Sequence, residues 1–180
     1  MGEQPGTLSR TLREPYESHG TYRDHGPHTI HLDVPASARY LGVIGACIGE
    51  LLARVDGLDD AEALIYNVQL AVQEICVNVV KHAYGGESEG DGGHDNRIAI
   101  ALTLAAPPLR LIVECHDGGQ SFDPARIPIP DLEHAQVNGY GLFLVHHLID
   151  TVTYDPCPGH NRWRLVKYLQ GPNPHPMINN

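Results

Sequence analysis

The sequence lacks long apolar runs and is poor in basic residues. No stretch approaches the roughly 18 to 20 uninterrupted apolar residues of a membrane-spanning helix, and the polar N-terminus has no apolar signal-peptide core. Lys and Arg number 12 against 22 Asp and Glu, a net charge of −10, which disfavours nucleic-acid binding by charge alone. We therefore expect a cytoplasmic protein that binds neither a membrane nor nucleic acid directly.

Several motifs that mark common classes of site are also missing from the sequence. The four cysteines lie far apart with no CxxC spacing, so reduced and packed thiols are expected rather than a zinc site or a disulfide framework. The 12 histidines include no HExxH pattern, and no GxxxxGK[ST] occurs. These absences exclude the sequence signatures of zinc metalloproteases and P-loop nucleotide-binding proteins.

Hydrophobic periodicity predicts one domain over residues 29–170 between a disordered tail at 1–28 and a tail at 171–180. The predicted strands are 29–34, 97–105, 109–115, 151–154 and 162–169, and the predicted helices are 36–55, 59–84 and 141–150. Each helix carries only one apolar stripe. This order favours an α/β two-layer sandwich, in which helices cover one face of a mixed sheet.

Three polar residues share one side of the longest predicted helix. Glu74, Asn78 and His82 follow i, i+4, i+8 spacing beside the apolar stripe. An amide oxygen suits Mg²⁺, and a carboxylate one turn away can accept a proton from an attacking hydroxyl. The alternative is a solvated polar face with no chemical role.

Two glycine-containing motifs follow later in the chain. Asp117-Gly118-Gly119 comes directly after a predicted strand, where an acid can accept a hydrogen bond from an amine and glycines permit close approach. Gly139-Tyr140-Gly141-Leu142 opens a helix, whose free N–H groups can bind phosphate. Alone, the first motif is equally well a plain turn, and a single GxG is weak evidence.

Taken in order, these motifs resemble the GHKL (histidine-kinase-like) ATPase superfamily, over roughly residues 29–170. The resemblance is closest to the bacterial anti-sigma-factor serine kinases of the RsbW and SpoIIAB type. The segments that carry it are Leu70–Tyr84 with its pattern ExxxNxxxHAY, Asp117–Asp123 with DGGxxFD, and Gly139–Val145 with GxGL; the run Val34-Pro35-Ala36 also resembles the opening of the family.

The resemblance implies a Bergerat-type ATPase fold, bound ATP with Mg²⁺, and roles for individual residues. Asn78 would bind Mg²⁺, and Glu74 would activate the serine hydroxyl of a protein substrate. Asp117 would recognise the adenine amine. The remaining nucleotide-binding residues implied are His82, Gly119, Phe122, Gly139, Gly141 and Leu142. Positioning and charge neutralisation are the main requirements of phosphoryl transfer, so this set is chemically sufficient.

The implied function is that of an anti-sigma regulator. It would be an ATP-dependent protein serine/threonine kinase that phosphorylates an anti-anti-sigma partner of the STAS type, sequesters a sigma factor and thereby regulates transcription. The family forms homodimers through the sheet, and the alternation around Ile30 and Leu32 would permit this. A histidine-kinase catalytic fragment is disfavoured, because no dimerisation helix with a phosphoacceptor histidine precedes the domain.

The sequence departs from the family pattern near its last strand and in its lid. Gly159-His160-Asn161 stands where relatives usually have Gly-Thr, whose threonine helps to hold the base. The proline-rich connection before Gly139, interpreted as a lid, has one strong cation, Arg126. Tyr140 occupies a lid position that is often basic in relatives. These departures leave an alternative, a nucleotide-gated sigma-binding module with little kinase turnover.

Overall fold

The structure, a computed structural model, describes residues 28–85, 96–121 and 140–169. The predicted C-terminal tail, the predicted N-terminal tail up to residue 27, and the predicted lid between Asp123 and Gly139 lie outside the described residues. Five strands form one sheet in the order β1-β2-β3-β5-β4: β1 His28–Pro35, β2 Arg97–Ala105, β3 Arg110–Asp117, β4 Thr151–Asp155 and β5 Asn161–Tyr168. All four neighbouring pairs are antiparallel. The predicted strands are thus present, each within two residues of its expected ends.

Strand alternation places one face of the sheet in the core. Ile100 lies opposite Cys115, which in turn lies opposite Trp163, and all three are buried. The buried helix residues join this same core, so the helices cover a single face as predicted. On the edge strand β1, Ile30 is 37% exposed, whereas Leu32 packs against the core.

Helix α1, Ala38–Leu52, is shorter at both ends than the predicted 36–55. Proline is common at the first position of a helix, but Pro35 is the last residue of β1 and pairs with Arg97. Ser37 is the N-cap, and its hydroxyl accepts a hydrogen bond from the Arg39 N–H at 3.4 Å. The serine side chain therefore determines where the helix begins, and this is the usual function of a capping residue.

Helix α2, Ala61–Asn78, continues directly into a π-helical turn, Val79–Ala83. The predicted helix from 59 to 84 is therefore present but changes its winding immediately after Asn78. By length and composition the stretch Ala61–Ala83 is apolar enough to cross a membrane, with a mean hydropathy of 1.4 over a window of 18 residues. One side of it is buried in the core with the strands, so it is placed as a core helix.

Helix α3, Tyr140–Leu148, packs against α2, and a buried ion pair joins the turn after it to β5. Lys167 Nζ lies 3.1 Å from Asp150 Oδ1, and these side chains are 15% and 4% exposed. The Tyr168 N–H donates to Asp150 Oδ2 at 2.7 Å. Together these bonds fix the end of α3 to the sheet.

Candidate active site

Asp117, the last residue of β3, is 5% exposed and uses only one of its carboxylate oxygens within the described residues. Oδ1 accepts hydrogen bonds from the Gly119 N–H at 3.0 Å and from Asn161 Nδ2 at 2.8 Å. Oδ2 is buried, and no group in the described part of the chain donates to it. Buried polar atoms almost always have a hydrogen-bond partner, so we expect a ligand or a water molecule to donate to this oxygen.

The segment after Asp117 packs directly against the end of the π-helical turn. A Cβ added to Gly119 would lie 2.5 Å from the carbonyl oxygen of Ala83, and the Gln120 N–H donates to that same oxygen at 2.9 Å. Gly119 was predicted to be a nucleotide-binding residue. Its contact with the helix requires a glycine at this position whether or not a ligand is bound.

Tyr84 joins the same two segments through its hydroxyl. The hydroxyl donates to the Arg97 carbonyl oxygen at 2.9 Å and accepts from the Gly118 N–H at 2.9 Å. Desolvation by partial burial is the largest cause of a raised pKa for this tyrosine, and the negative charge of Asp117 adds to it. The phenol thus remains neutral at physiological pH and can both donate and accept.

The N-terminus of α3 meets α2 at Glu74. A Cβ added to Gly141 would lie 2.5 Å from Glu74 Oε2, closer than real side chains approach. Glu74 is half-buried, and Leu142, the next residue of α3, is buried. The structure therefore brings together the predicted proton acceptor and the predicted phosphate-binding helix.

Asn78 lies between these two contacts along the same helix. Glu74 and Ala83 are nine positions apart in the sequence, roughly 13 Å at the rise of an α-helix. Asn78 is half-buried and is the last α-helical residue, and His82 is exposed within the π-helical turn. Phe122 and Gly139, the other two predicted site residues, lie outside the described residues.

A single amide is a weak metal site by itself. Within the described ranges, no group of three or more His, Cys, Asp or Glu side chains is placed to hold a metal ion. Mg²⁺ takes few protein ligands and binds through substrate phosphates and water. The oxygen of Asn78 fits such a shared site and does not fit a metal held by protein alone.

The sequence patterns predict no site role for Asn161, which lies in the segment that departs from the family pattern. Asn161 is directly opposite Asp117 in the β3–β5 pair and is 1% exposed. The signal that was available is the strand register, because pairing Trp163 with Cys115 places Asn161 beside Asp117.

Comparisons with known proteins identify the family of this chain. A family model described as the histidine kinase-like ATPase domain matches residues 34–167. The serine-protein kinase RsbW of Halalkalibacterium halodurans is 33% identical over 142 residues, which cover 72% of this chain and 77% of that protein. RsbW of Bacillus cereus is 32% identical over 133 residues, covering 68% and 74%. The chain belongs to the histidine kinase-like ATPase family, among the relatives of RsbW.

A solved structure of the same family gives the same fold. The crystal structure of the RsbU and RsbW domains of a Mycobacterium tuberculosis protein matches with a TM-score of 0.56 at 19% identity. The match covers 81% of this chain and 33% of that longer chain. The predictions of a GHKL fold and of a protein serine kinase are confirmed at the level of the family, whereas the roles of individual site residues stay predictions.

Proposed function

We propose that this chain is an anti-sigma regulatory kinase that transfers the γ-phosphate of ATP to a serine of an anti-anti-sigma protein. Its family and the arrangement of α2 support this proposal. One helix carries Glu74 against the N-terminus of α3 and, at its far end, packs against the segment that follows Asp117. That single helix can therefore align a nucleotide between a purine-binding end and a phosphate-binding end.

The purine end is supported by the free carboxylate oxygen of Asp117. Oδ2 is buried and lacks a donor among the described residues, and the exocyclic amine of adenine is a donor of the required kind. A hydrogen bond to a charged group is worth about 1.5–3 kcal/mol, since its loss leaves a buried charge unpaired. This oxygen is the observation on which the assignment of ATP depends.

The phosphate end is supported by the first residues of α3 and by two side chains of α2. The first-turn N–H groups of a helix have no intrahelical partners and bind anionic oxygens, and Gly141 lets this turn approach Glu74 closely. Asn78 would hold Mg²⁺ together with phosphate oxygens, and the ion would neutralise charge during transfer.

Glu74 acts on the protein substrate in this proposal. Its carboxylate would orient the incoming serine hydroxyl and accept its proton as the new phosphorus–oxygen bond forms and the bond from the γ-phosphorus to the leaving ADP breaks. The half-buried position of Glu74 keeps it accessible to the hydroxyl of a partner. General-base catalysis of this kind contributes about 10²- to 10⁴-fold to the rate.

Regulation of transcription follows in the proposal from sequestration of a sigma factor, with a cytoplasmic homodimer as the acting form. The alternative of a module with little kinase turnover rested on departures in the last strand and in the lid, and residues 122–139 lie outside the described residues. In the structure Asn161, in the same segment, donates a hydrogen bond to Asp117. No observation therefore favours the alternative over the kinase.

The experiment is a phosphorylation assay with radiolabelled ATP, Mg²⁺ and candidate anti-anti-sigma proteins. We expect label on one serine of the partner, and a loss of at least about 10²-fold in rate for Glu74→Gln with unchanged ATP affinity. Glu62→Gln, an exposed glutamate in the first turn of the same helix, is the matched control and should retain the parent rate. Failure of the parent to label any partner that it binds in the presence of ATP would contradict the proposal.

A further inference from the structure

The side chain of Asn161 is fully used in hydrogen bonds at the end of the sheet. Nδ2 donates to Asp117 Oδ1 at 2.8 Å and to the Gly119 carbonyl oxygen at 3.1 Å. Oδ1 accepts from the Ser121 hydroxyl at 2.5 Å and from the Cys157 N–H at 3.3 Å. Both amide hydrogens and both lone pairs of the amide oxygen are therefore occupied.

This network permits only one orientation of the amide. Rotating it by 180° would place Oδ1 against two acceptors, the Asp117 carboxylate and the Gly119 carbonyl oxygen. The same rotation would place the NH₂ group against the Cys157 N–H, which cannot accept a hydrogen bond. The amide nitrogen therefore points to Asp117, and a buried network in which every member is satisfied is rigid.

As a result, the two carboxylate oxygens of Asp117 differ in their hydrogen bonds. Oδ1 receives two donors, one from Asn161 and one from its own turn at Gly119, while Oδ2 receives none within the described residues. Asn161 has no hydrogen left to offer to a ligand. The side chains at this position thus present a bare acceptor to a ligand, with no donor from the asparagine beside it.

We infer that Asn161 is a positioning residue that determines the base specificity of the nucleotide site. It fixes the Asp117 carboxylate so that Oδ2 alone meets the base. This oxygen accepts a hydrogen bond from the amine at the purine 6-position and repels the carbonyl oxygen that hypoxanthine or guanine carries there. The inference depends on the proposed binding of ATP and adds a residue that the family pattern does not supply.

A purely structural role for Asn161 predicts a different result. If the amide only held β3 and β5 together, its removal would weaken the binding of every nucleotide by the same factor. If it positions the carboxylate, removal should weaken ATP selectively and leave purine riboside triphosphate, which lacks the amine, almost unchanged. The ratio of the two dissociation constants therefore separates the roles.

The experiment measures the binding of ATP, inosine triphosphate and purine riboside triphosphate to the full chain with Mg²⁺ by calorimetry. The parent should prefer ATP over purine riboside triphosphate by roughly 10- to 100-fold, the value of a hydrogen bond to a charged group. Asn161→Leu should reduce that preference to a few-fold. Asn161→Thr, which keeps a donor toward Asp117, should retain most of it. Asn67→Leu on α2 is the matched control and should match the parent.

A second variant adds a pH readout and covers the case in which the leucine variant does not fold. Asn161→Asp places a second carboxylate against Asp117 Oδ1, and two adjacent carboxylates raise the pKa of the pair, so that they share a proton as the pH falls. ATP binding by this variant should strengthen by about 10-fold on going from pH 8 to pH 5, whereas the parent should show no such gain.

The outcomes separate this inference from the proposed function. A parent that binds no ATP would overturn the proposed function. A parent that prefers ATP, with Asn161→Leu and Asn161→Asp retaining the full preference at pH 8, or losing affinity for all three nucleotides equally, would overturn only the role of Asn161.

Discussion

Replacing Gly141 by alanine should separate catalysis from stability in this protein. The added Cβ would lie 2.5 Å from Glu74 Oε2, where ordinary contact begins at 3.4 Å, so the carboxylate must retreat by about 0.9 Å. The obstructing atom is the end of a flexible side chain, and no helix backbone has to move. The substitution therefore displaces one functional group and leaves the packing of α3 on α2 in place.

Gly141→Ala should raise the stability and lower the rate of phosphoryl transfer. Alanine is favoured over glycine inside a helix by about 0.5–1 kcal/mol, which corresponds to a rise in Tm of up to about 4 °C for a chain of this size. A misplacement of about 1 Å in a reacting group can cost about 10²-fold in rate. We expect Gly141→Ala to fold at least as stably as the parent and to phosphorylate its partner about 10²-fold more slowly.

The assay pairs thermal unfolding with single-turnover phosphorylation at saturating ATP. Gly42→Ala is the matched control, because Gly42 is also helical and nothing lies within 4 Å of an added Cβ there. It should gain similar stability and keep the parent rate. A Gly141→Ala protein that transfers phosphate at the parent rate would refute the placement of Glu74 at the reacting hydroxyl.

Three further substitutions test other parts of the structure. In Gly119→Ala the new methyl group meets the backbone of Ala83, so we expect the free energy of unfolding in urea to fall by about 1–3 kcal/mol and ATP binding to weaken. Unchanged stability would show that this contact is wrong. Lys167→Met leaves the buried Asp150 without its cation and should lower the free energy of unfolding by about 3 kcal/mol. ATP affinity measured by calorimetry should be unchanged, and a fall in affinity would contradict the separation of this ion pair from the site. Tyr84→Phe should cost about 1 kcal/mol at pH 7. Because burial raises the pKa of Tyr84, the folded state holds its proton more tightly than the unfolded state, so stability is lost as the pH rises above 10. The phenylalanine variant should lose less stability over that range than the parent. Equal losses would contradict the burial of this phenol.

The sheet and its covering helices were predictable because their apolar periodicities are strong. The alternation of Ile98, Ile100 and Leu102 predicted a strand with one buried face, and all three are buried in the structure. The helix ends were less predictable. Pro35 suits a helix start, but pairing with Arg97 holds it in β1, and such tertiary pairing is invisible in local sequence.

The candidate site was predictable in its residue types and not in its contacts. The helical spacing of Glu74 and Asn78 is a local property and could be read from the sequence. The π-helical turn that follows Asn78 has no sequence signal of its own, although such turns often occur at functional sites. The hydrogen bond between Asn161 and Asp117 joins residues 44 positions apart, so only the strand register brings it to light.

The most direct test of the site is a calorimetric titration of the parent, Asp117→Asn and Asn78→Ala with ATP, in Mg²⁺ and in EDTA. We predict Mg²⁺-dependent binding to the parent, at least about 10-fold weaker binding to Asp117→Asn, whose amide opposes the adenine amine, and loss of the Mg²⁺ dependence in Asn78→Ala. Two variants that bind ATP as the parent does, with the same response to Mg²⁺, would contradict a nucleotide site between α2 and the end of β3.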